Sequence, residues 1–442
     1  MTFPTRAGVA VVAAALSCGW NLSAQGQQPA PPPDTLQLGV LQEAAVLRDP
    51  RGRQLELLGR QSELRQRSLD AEQLPALSLL GQGQYQSDVA TIPIELPGGV
   101  TPPTPPNDTY DAHVAVRQRL YDPSLHARRE VENARLAESR ARVRSSLYEL
   151  RHSVNETFFA VLLLQSQAAE LEAGIADLEA QLRVAVERVS EGAALPGEAA
   201  SLEAALLQRR QSLERVAAER DAATVTLSDL TGETVGATDA LALPDLGDEV
   251  ARARAAPEDQ RGRPEHEQFE LGRQLIDRQR ATITAGERPR FSAFGRAGYG
   301  RPGLNPLARE FDSYWLSGIQ VEWAPWSWGT TRRERDELAL QREILDTEEA
   351  AFDERIRRSA TQELASIDRI ERSLVADEQI VELRERILQE TVVRFSEEVI
   401  TSAEYVDRET DLLEARLARI QHRVELARAH ARFLTLIGSP LP

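Results

Sequence analysis

The sequence predicts a mainly α-helical protein with a small β part, built as two tandem structural repeats of one plan. Three observations carry that prediction. Only 5% of the 442 residues are aromatic, while Ala, Leu, Glu, Gln, Arg and Asp dominate, as in long helices and coiled coils. Short motifs recur at a nearly constant offset: Pro75 to Gln86 (PALSLLGQGQYQ) and Pro289 to Gly300 (PRFSAFGRAGYG) share Pro, Ser, Gly and Tyr 214 positions apart. From Leu147 to Val189, thirteen positions in alternating steps of three and four are apolar except at Thr157, which is a sustained heptad seam.

Residues 1–24 carry Arg6, an apolar run from Ala7 to Leu16 and a small-residue end at Leu22-Ser23-Ala24, the layout of a signal peptide cleaved after Ala24. The single Cys, Cys18, lies inside it. It is either discarded with the signal or kept as a lipid anchor, although Ala15 stands where a lipoprotein signal prefers Leu. A chain cut after Ala24 has no Cys, which excludes disulfides, thiol catalysis and Cys-ligated zinc. No other stretch approaches the roughly 18 continuous apolar residues of a membrane helix.

The first repeat, residues 25–240, reads as a helix, strands at about 76–87 and 109–121, a long helix at about 123–190 and a return helix at about 197–231. The second, residues 241–442, reads as a helix, strands at about 290–300 and 313–325, a long helix at about 330–397 and a return helix at about 402–437. Asp49-Pro50-Arg51 recurs as Arg263-Pro264-Glu265, Tyr110–Glu130 aligns with Tyr314–Glu334, and Arg188–Gly232 aligns with Arg394–Gly438. Asp122 is placed as an N-cap before Pro123 at the first helical position. Thr331 and Glu334 have capping-box spacing at the start of the second long helix. The second seam is weaker than the first, with Asp377 and Arg384 intruding between Ile370, Leu374, Val381 and Leu388. The loop after the first strand, Gln86 to Asp108, is rich in Pro and Gly and connects a hairpin.

Leu77, Leu79, Gly81, Gly83 and Tyr85 alternate with Ser78, Gln82, Gln84 and Gln86, the pattern of a transmembrane β-barrel strand and equally of a half-buried soluble hairpin. The fourth strand puts Trp315, Ile319, Val321 and Trp323 on one face, the opposite parity to its repeat partner, through either a bulge or a register difference. Trp315, Trp323, Trp326 and Trp328 suit an interfacial girdle as well as a core. Four strands cannot close a barrel, and lipid does not tolerate open edges, so membrane strands would have to be shared among chains.

A net charge of −17 argues against a nucleic-acid partner. The six His lack metal-ligand spacing, and no nucleotide loop or nucleophile elbow occurs, so no enzyme activity, cofactor or metal is expected.

From about Thr35 to Gly438 this organisation resembles the TolC family of outer-membrane efflux proteins. The resemblance implies a homotrimer whose long coiled coils form a trimeric α-barrel and whose strands, four per chain, form a shared 12-stranded transmembrane β-barrel. It implies a passive exit duct of a tripartite efflux or type I secretion system, set in outer-membrane lipid of a Gram-negative-type bacterium. The partners implied are a periplasmic adaptor (membrane fusion) protein and an inner-membrane pump. The family's helix-tip motif is matched by Arg394, Phe395, Thr401, Ser402 and Glu404, with Glu398 standing where Gly is usual. The first half keeps Arg188, Gly192 and Glu198 but inserts Pro196. By the same resemblance Arg188, Gly192, Glu198, Arg394, Glu398, Thr401 and Ser402 face the adaptor or pump, and Glu404 and Asp407 match the acidic pair that narrows the periplasmic entrance. Spaced i and i+3, those two share a helix face. The competing expectation is an exported periplasmic coiled-coil scaffold or adaptor without channel activity, its hairpins soluble.

Overall fold

A computed structural model describes residues 35–90, 104–236, 239–255 and 262–441. The segment expected to be a signal peptide, Cys18 and the middle of the first hairpin loop lie outside the described residues.

The chain runs α1 (Leu38–Arg48), α2 (Gly52–Ala71), β1 (Ala76–Tyr85), β2 (Asp108–Tyr121), α3 (Pro123–Tyr148), α4 (Leu150–Ser190) and α5 (Pro196–Thr231). It continues with α6 (Gly247–Ala255), α7 (Pro264–Gly286), β3 (Arg290–Arg301), β4 (Asp312–Glu322), α8 (Thr330–Ser396) and α9 (Ser402–Ile437). Secondary structure is therefore mainly helical, with one antiparallel sheet in the order β1-β2-β3-β4. The 67 residues of α8 rise about 100 Å. No helix among the described residues is long and apolar enough to cross a membrane.

Apolar periodicity dictates the helix pairing. α4 packs along α5, α8 along α9, and α3 along α7. All thirteen seam positions from Leu147 to Val189 are buried or half-buried. The second seam tolerates its charged residues because α9 supplies partners: Asp377 accepts from His422 Nδ1 at 2.5 Å, and Arg384 donates to Asp411 at 2.6 Å. The largest core gathers where α1 and α6 lie against α4 and α9, around Leu41, Phe158, Phe159, Phe433 and Leu434. A buried polar chain crosses it, Gln42 donating to Asn155 (2.5 Å) and Asn155 to Thr435 Oγ1 (3.0 Å), so that no amide is left unpaired among apolar neighbours.

Residues 123–190 form two helices instead of the single one predicted. Arg51, held by Asp49, donates from Nη1 to the Ser146 carbonyl at 2.9 Å. That carbonyl is the acceptor Leu150 N–H would use in an unbroken ladder, and competition of this kind distorts a helix locally. At the start of α3 the Asp122 carboxylate accepts from Ser124 N at 3.0 Å, an N-cap with Pro123 at the first helical position. The capping box expected at Thr331 is absent. Trp328 (φ 51) and Gly329 (φ 78) turn the chain in the left-handed region, α8 begins at Thr330, and Thr331 bonds Ser327 instead.

The sheet separates its two faces. Cross-strand pairing aligns Leu77, Leu79 and Tyr85 with Tyr110, Val114, Val116, Tyr299, Trp315, Ile319 and Val321 on one face. Gln82, Asp111, His113, Arg117, Arg296, Tyr314 and Gln320 take the other. The parity puzzle of β4 resolves here. Gly83 pairs with Tyr110, and Ala297, its equivalent 214 positions on, pairs with Trp315, so Trp315 and not Tyr314 is the counterpart of Tyr110. The one-residue difference is taken up by a bulge between Arg119 and Tyr121 in β2, which β4 lacks.

Candidate functional site: the helix-hairpin tips and the exposed sheet

The turns from α4 to α5 and from α8 to α9 are built alike. In the first, Ala193 N–H bonds the Arg188 carbonyl (2.8 Å) and Gly192 N–H that of Val189 (3.1 Å). In the second, Val399 N–H bonds the Arg394 carbonyl (2.9 Å) and Glu398 N–H that of Phe395 (3.2 Å). This double bond pattern is the Schellman motif, which needs a left-handed residue after the helix cap. Gly192 supplies it with φ 76, and Glu398 with φ 64. A glutamate therefore holds a backbone geometry that glycine adopts without steric cost. Its carboxylate forms an ion pair with Arg188 of the other tip, so the two hairpin ends of one chain are tied together.

Past the second turn, Thr401 caps α9, its Oγ1 accepting from Glu404 N at 3.3 Å. Ser402 is buried under the first turn. Glu404 and Asp407 are both exposed on α9, and neither carboxylate forms an ion pair with a described residue. Between them Tyr405 turns inward and stacks on Phe395 at 5.1 Å. Burial, followed by the nearby Glu409 and Asp177 carboxylates, pushes the Tyr405 hydroxyl up to about 12. Glu198 occupies the first turn of α5, where its charge favours the helix N-terminus. Arg394 is exposed and faces Glu390 at 4.0 Å, away from the Arg188–Glu398 pair.

A buried ion pair between the return helices was not foreseen from the sequence. Arg209 of α5 donates from Nη2 to Glu409 of α9 at 2.8 Å, with both side chains over 90% buried. Burial raises the Glu409 carboxyl above its ordinary range against the opposing pull of Arg209. The signal was in the periodicity: Leu202, Leu206, Arg209 and Val216 share one stripe, as do Tyr405, Glu409 and Leu412.

The sheet's apolar face is uncovered. Leu77, Leu79, Trp315 and Ile319 are 73%, 80%, 73% and 70% exposed. Aromatic side chains bracket this face at both ends. Tyr110, Phe311 and Tyr299 stack at 6.1 and 5.6 Å beside the hairpin loops, and Tyr121 meets Phe291 at 6.1 Å beside the helices. The nine strand residues from Phe291 to Tyr299 span roughly 26 Å, the order of the apolar band of a transmembrane barrel.

Residues 45–233 match the family model described as outer membrane efflux protein. No curated protein sequence matches the chain. Among solved structures, a membrane protein from Pseudomonas aeruginosa superimposes with TM-score 0.63 at 16% identity, over 91% of this chain and 90% of that one. The channel-forming protein CusC gives TM-score 0.64 at 15% identity, over 92% and 93%. The open state of the MtrE outer membrane channel of Neisseria gonorrhoeae gives 0.61 at 16%, over 91% and 89%. The family this chain resembles is that of the TolC-like outer membrane efflux proteins.

Proposed function

We propose that this chain is the outer-membrane exit duct of a tripartite efflux or type I secretion system. Three copies close a 12-stranded barrel in the outer membrane and continue it as a helical tunnel through the periplasm. The observation that carries this reading is the four-stranded sheet whose outer edges pair with no further strand among the described residues, with an uncovered apolar face between two aromatic bands. Lipid accepts such a face, but it accepts no open edge, so copies must complete the barrel.

The duct supplies no energy; an inner-membrane pump does, coupled through a periplasmic adaptor. The paired tips present Arg188, Gly192, Glu198, Arg394, Glu398, Thr401 and Ser402 to those partners. A groove of about 670 Å³ between α4 and α5, floored by Leu182, Val186, Leu206 and Leu207, lies beside them and suits an adaptor helix. Glu404 and Asp407 narrow the entrance with carboxylates.

The test is extraction and recording. The protein should resist salt and alkali, dissolve in detergent, sediment with the mass of three chains and form discrete channels in planar bilayers. Release by alkali as a non-conducting soluble protein would instead identify an exported coiled-coil scaffold.

A further inference from the structure

We infer that the polar face of the sheet carries a binding site for amphipathic organic anions, such as aromatic carboxylates or sulfonates. The inference rests on the duct reading only in taking this face as the lumen wall. Two adjacent cross-strand rows build the site. Arg117, Phe294 and Gly318 lie side by side in one, and Ser78, Ala115, Arg296 and Leu316 in the next. Of these, Ser78, Ala115, Arg117, Phe294, Arg296 and Leu316 border, with Gln320, a concavity of about 600 Å³.

Charge is the first argument. Arg119 and Arg290, on the same face, are neutralised by carboxylates at the helix junction: Arg119 by Glu72 and Asp122, Arg290 by Asp122. Arg117 and Arg296 have no carboxylate of a described residue within ion-pair distance. Asp111, the acid that faces Arg296 among the described residues, is already engaged, because it accepts from the Tyr314 hydroxyl and meets His113 Nδ1 at 2.5 Å. Arg296 instead rests over the Tyr314 ring at 5.8 Å. Two guanidiniums thus flank one hollow without counter-charge, and their planar donor forks suit carboxylate or sulfonate oxygens.

Shape is the second argument. A Cβ on Gly318 would fall 2.9 Å from the Phe294 ring, so only glycine lets that ring lie flat against β4. The flattened ring and Leu316 give an apolar floor beside the arginines. An inorganic anion would use the charges and leave the floor wet. An aromatic anion would use both.

Purified full-length protein in non-ionic detergent, titrated calorimetrically with 2-naphthalenesulfonate, tests this. Binding should weaken about tenfold or more in R117Q/R296Q, the scale of a lost charge-assisted hydrogen bond, and several-fold in F294A. R117K/R296K, which keeps the charge and loses the planar fork, should bind more tightly than R117Q/R296Q and more weakly than the native protein. Inorganic sulfate should bind far more weakly. R117E/R296E should bind 2-naphthyltrimethylammonium, which the native protein ignores, an exchange that mere misfolding would not produce. Equal heats for native and R117Q/R296Q protein, or equal affinity for the anion and the cation, would overturn the site. Channel formation is judged separately in bilayers. Lack of conductance would defeat the duct reading, while the titration would still decide whether the wall binds anions.

Discussion

At Glu398 one side chain meets two opposed demands. The Schellman turn requires φ near 64, where an L-residue is crowded, and the Arg188 ion pair offers partial recompense on a largely exposed surface. The backbone term is the larger. Glu398→Ala keeps the crowding and loses the pair; Glu398→Gly loses the pair and the crowding together. Glu398→Gly should therefore be the more stable of the two by about 1 kcal/mol. Thermal unfolding followed by helical circular dichroism would read this, and an equal or reversed order would show that the turn is not strained. The departure from glycine was legible in the sequence at Glu398. Its partner was not, since Arg188 lies 210 positions away and only the packed tips bring the charges together.

Among elements, the coiled-coil seams were the most legible, because an apolar residue every three or four positions leaves a helix few alternatives to burial. The polar members of those seams were legible only as intrusions. Arg209 and Glu409 fall on apolar stripes, yet nothing in either segment says that the two stripes meet. Removing one member strands the other in a dry interface. Glu409→Ala should cost about 3–5 kcal/mol, whereas the paired apolar replacement Arg209→Met with Glu409→Leu should be neutral or stabilising. Melting temperatures of the three proteins decide it, and a harmless Glu409→Ala would mean that the pair is hydrated. The α7–α8 contact behaves differently with pH. The Arg273 guanidinium beside Glu349 holds its carboxyl below the ordinary 4.5, so below that value the unfolded chain binds more protons than the folded one. The stabilisation is complete at neutral pH and fades as acid carries the solution through the lowered folded value. The stability gap between native protein and Glu349→Gln should accordingly hold steady from neutral pH down towards the ordinary 4.5 and shrink as the pH is lowered further. A gap independent of pH would sink the assignment. The break between α3 and α4 and the bulge in β2 were illegible for a shared reason. Each depends on a distant partner, the Arg51 guanidinium in one case and the register with β3 in the other.

For the molecule as a whole, the proposed duct function depends on where copies would bring the same residues together, and the acidic tip is the sharpest case. Glu404 and Asp407 are exposed, free of ion pairs with described residues, and one helical turn apart on α9. In one chain this is an ordinary solvated face. Three chains arranged with α9 towards the axis would place six carboxylates around one opening, where low-dielectric walls focus their field. Such a ring concentrates cations, holds a divalent ion in the path of the current and resists anions. Replacing both residues by Ala should raise single-channel conductance. It should also weaken block by Mg²⁺ added from the tip side by roughly tenfold or more, since a carboxylate about 4 Å from a divalent cation in a wet opening attracts it by about 2 kcal/mol. The salt dependence separates this field effect from a change of shape. At about 1 M salt the screening length falls to about 3 Å, so the difference in block should largely vanish while a purely steric widening would persist. Unchanged conductance and unchanged block at low salt would show that these carboxylates do not line the entrance, and α9 would then have to present another face to the axis.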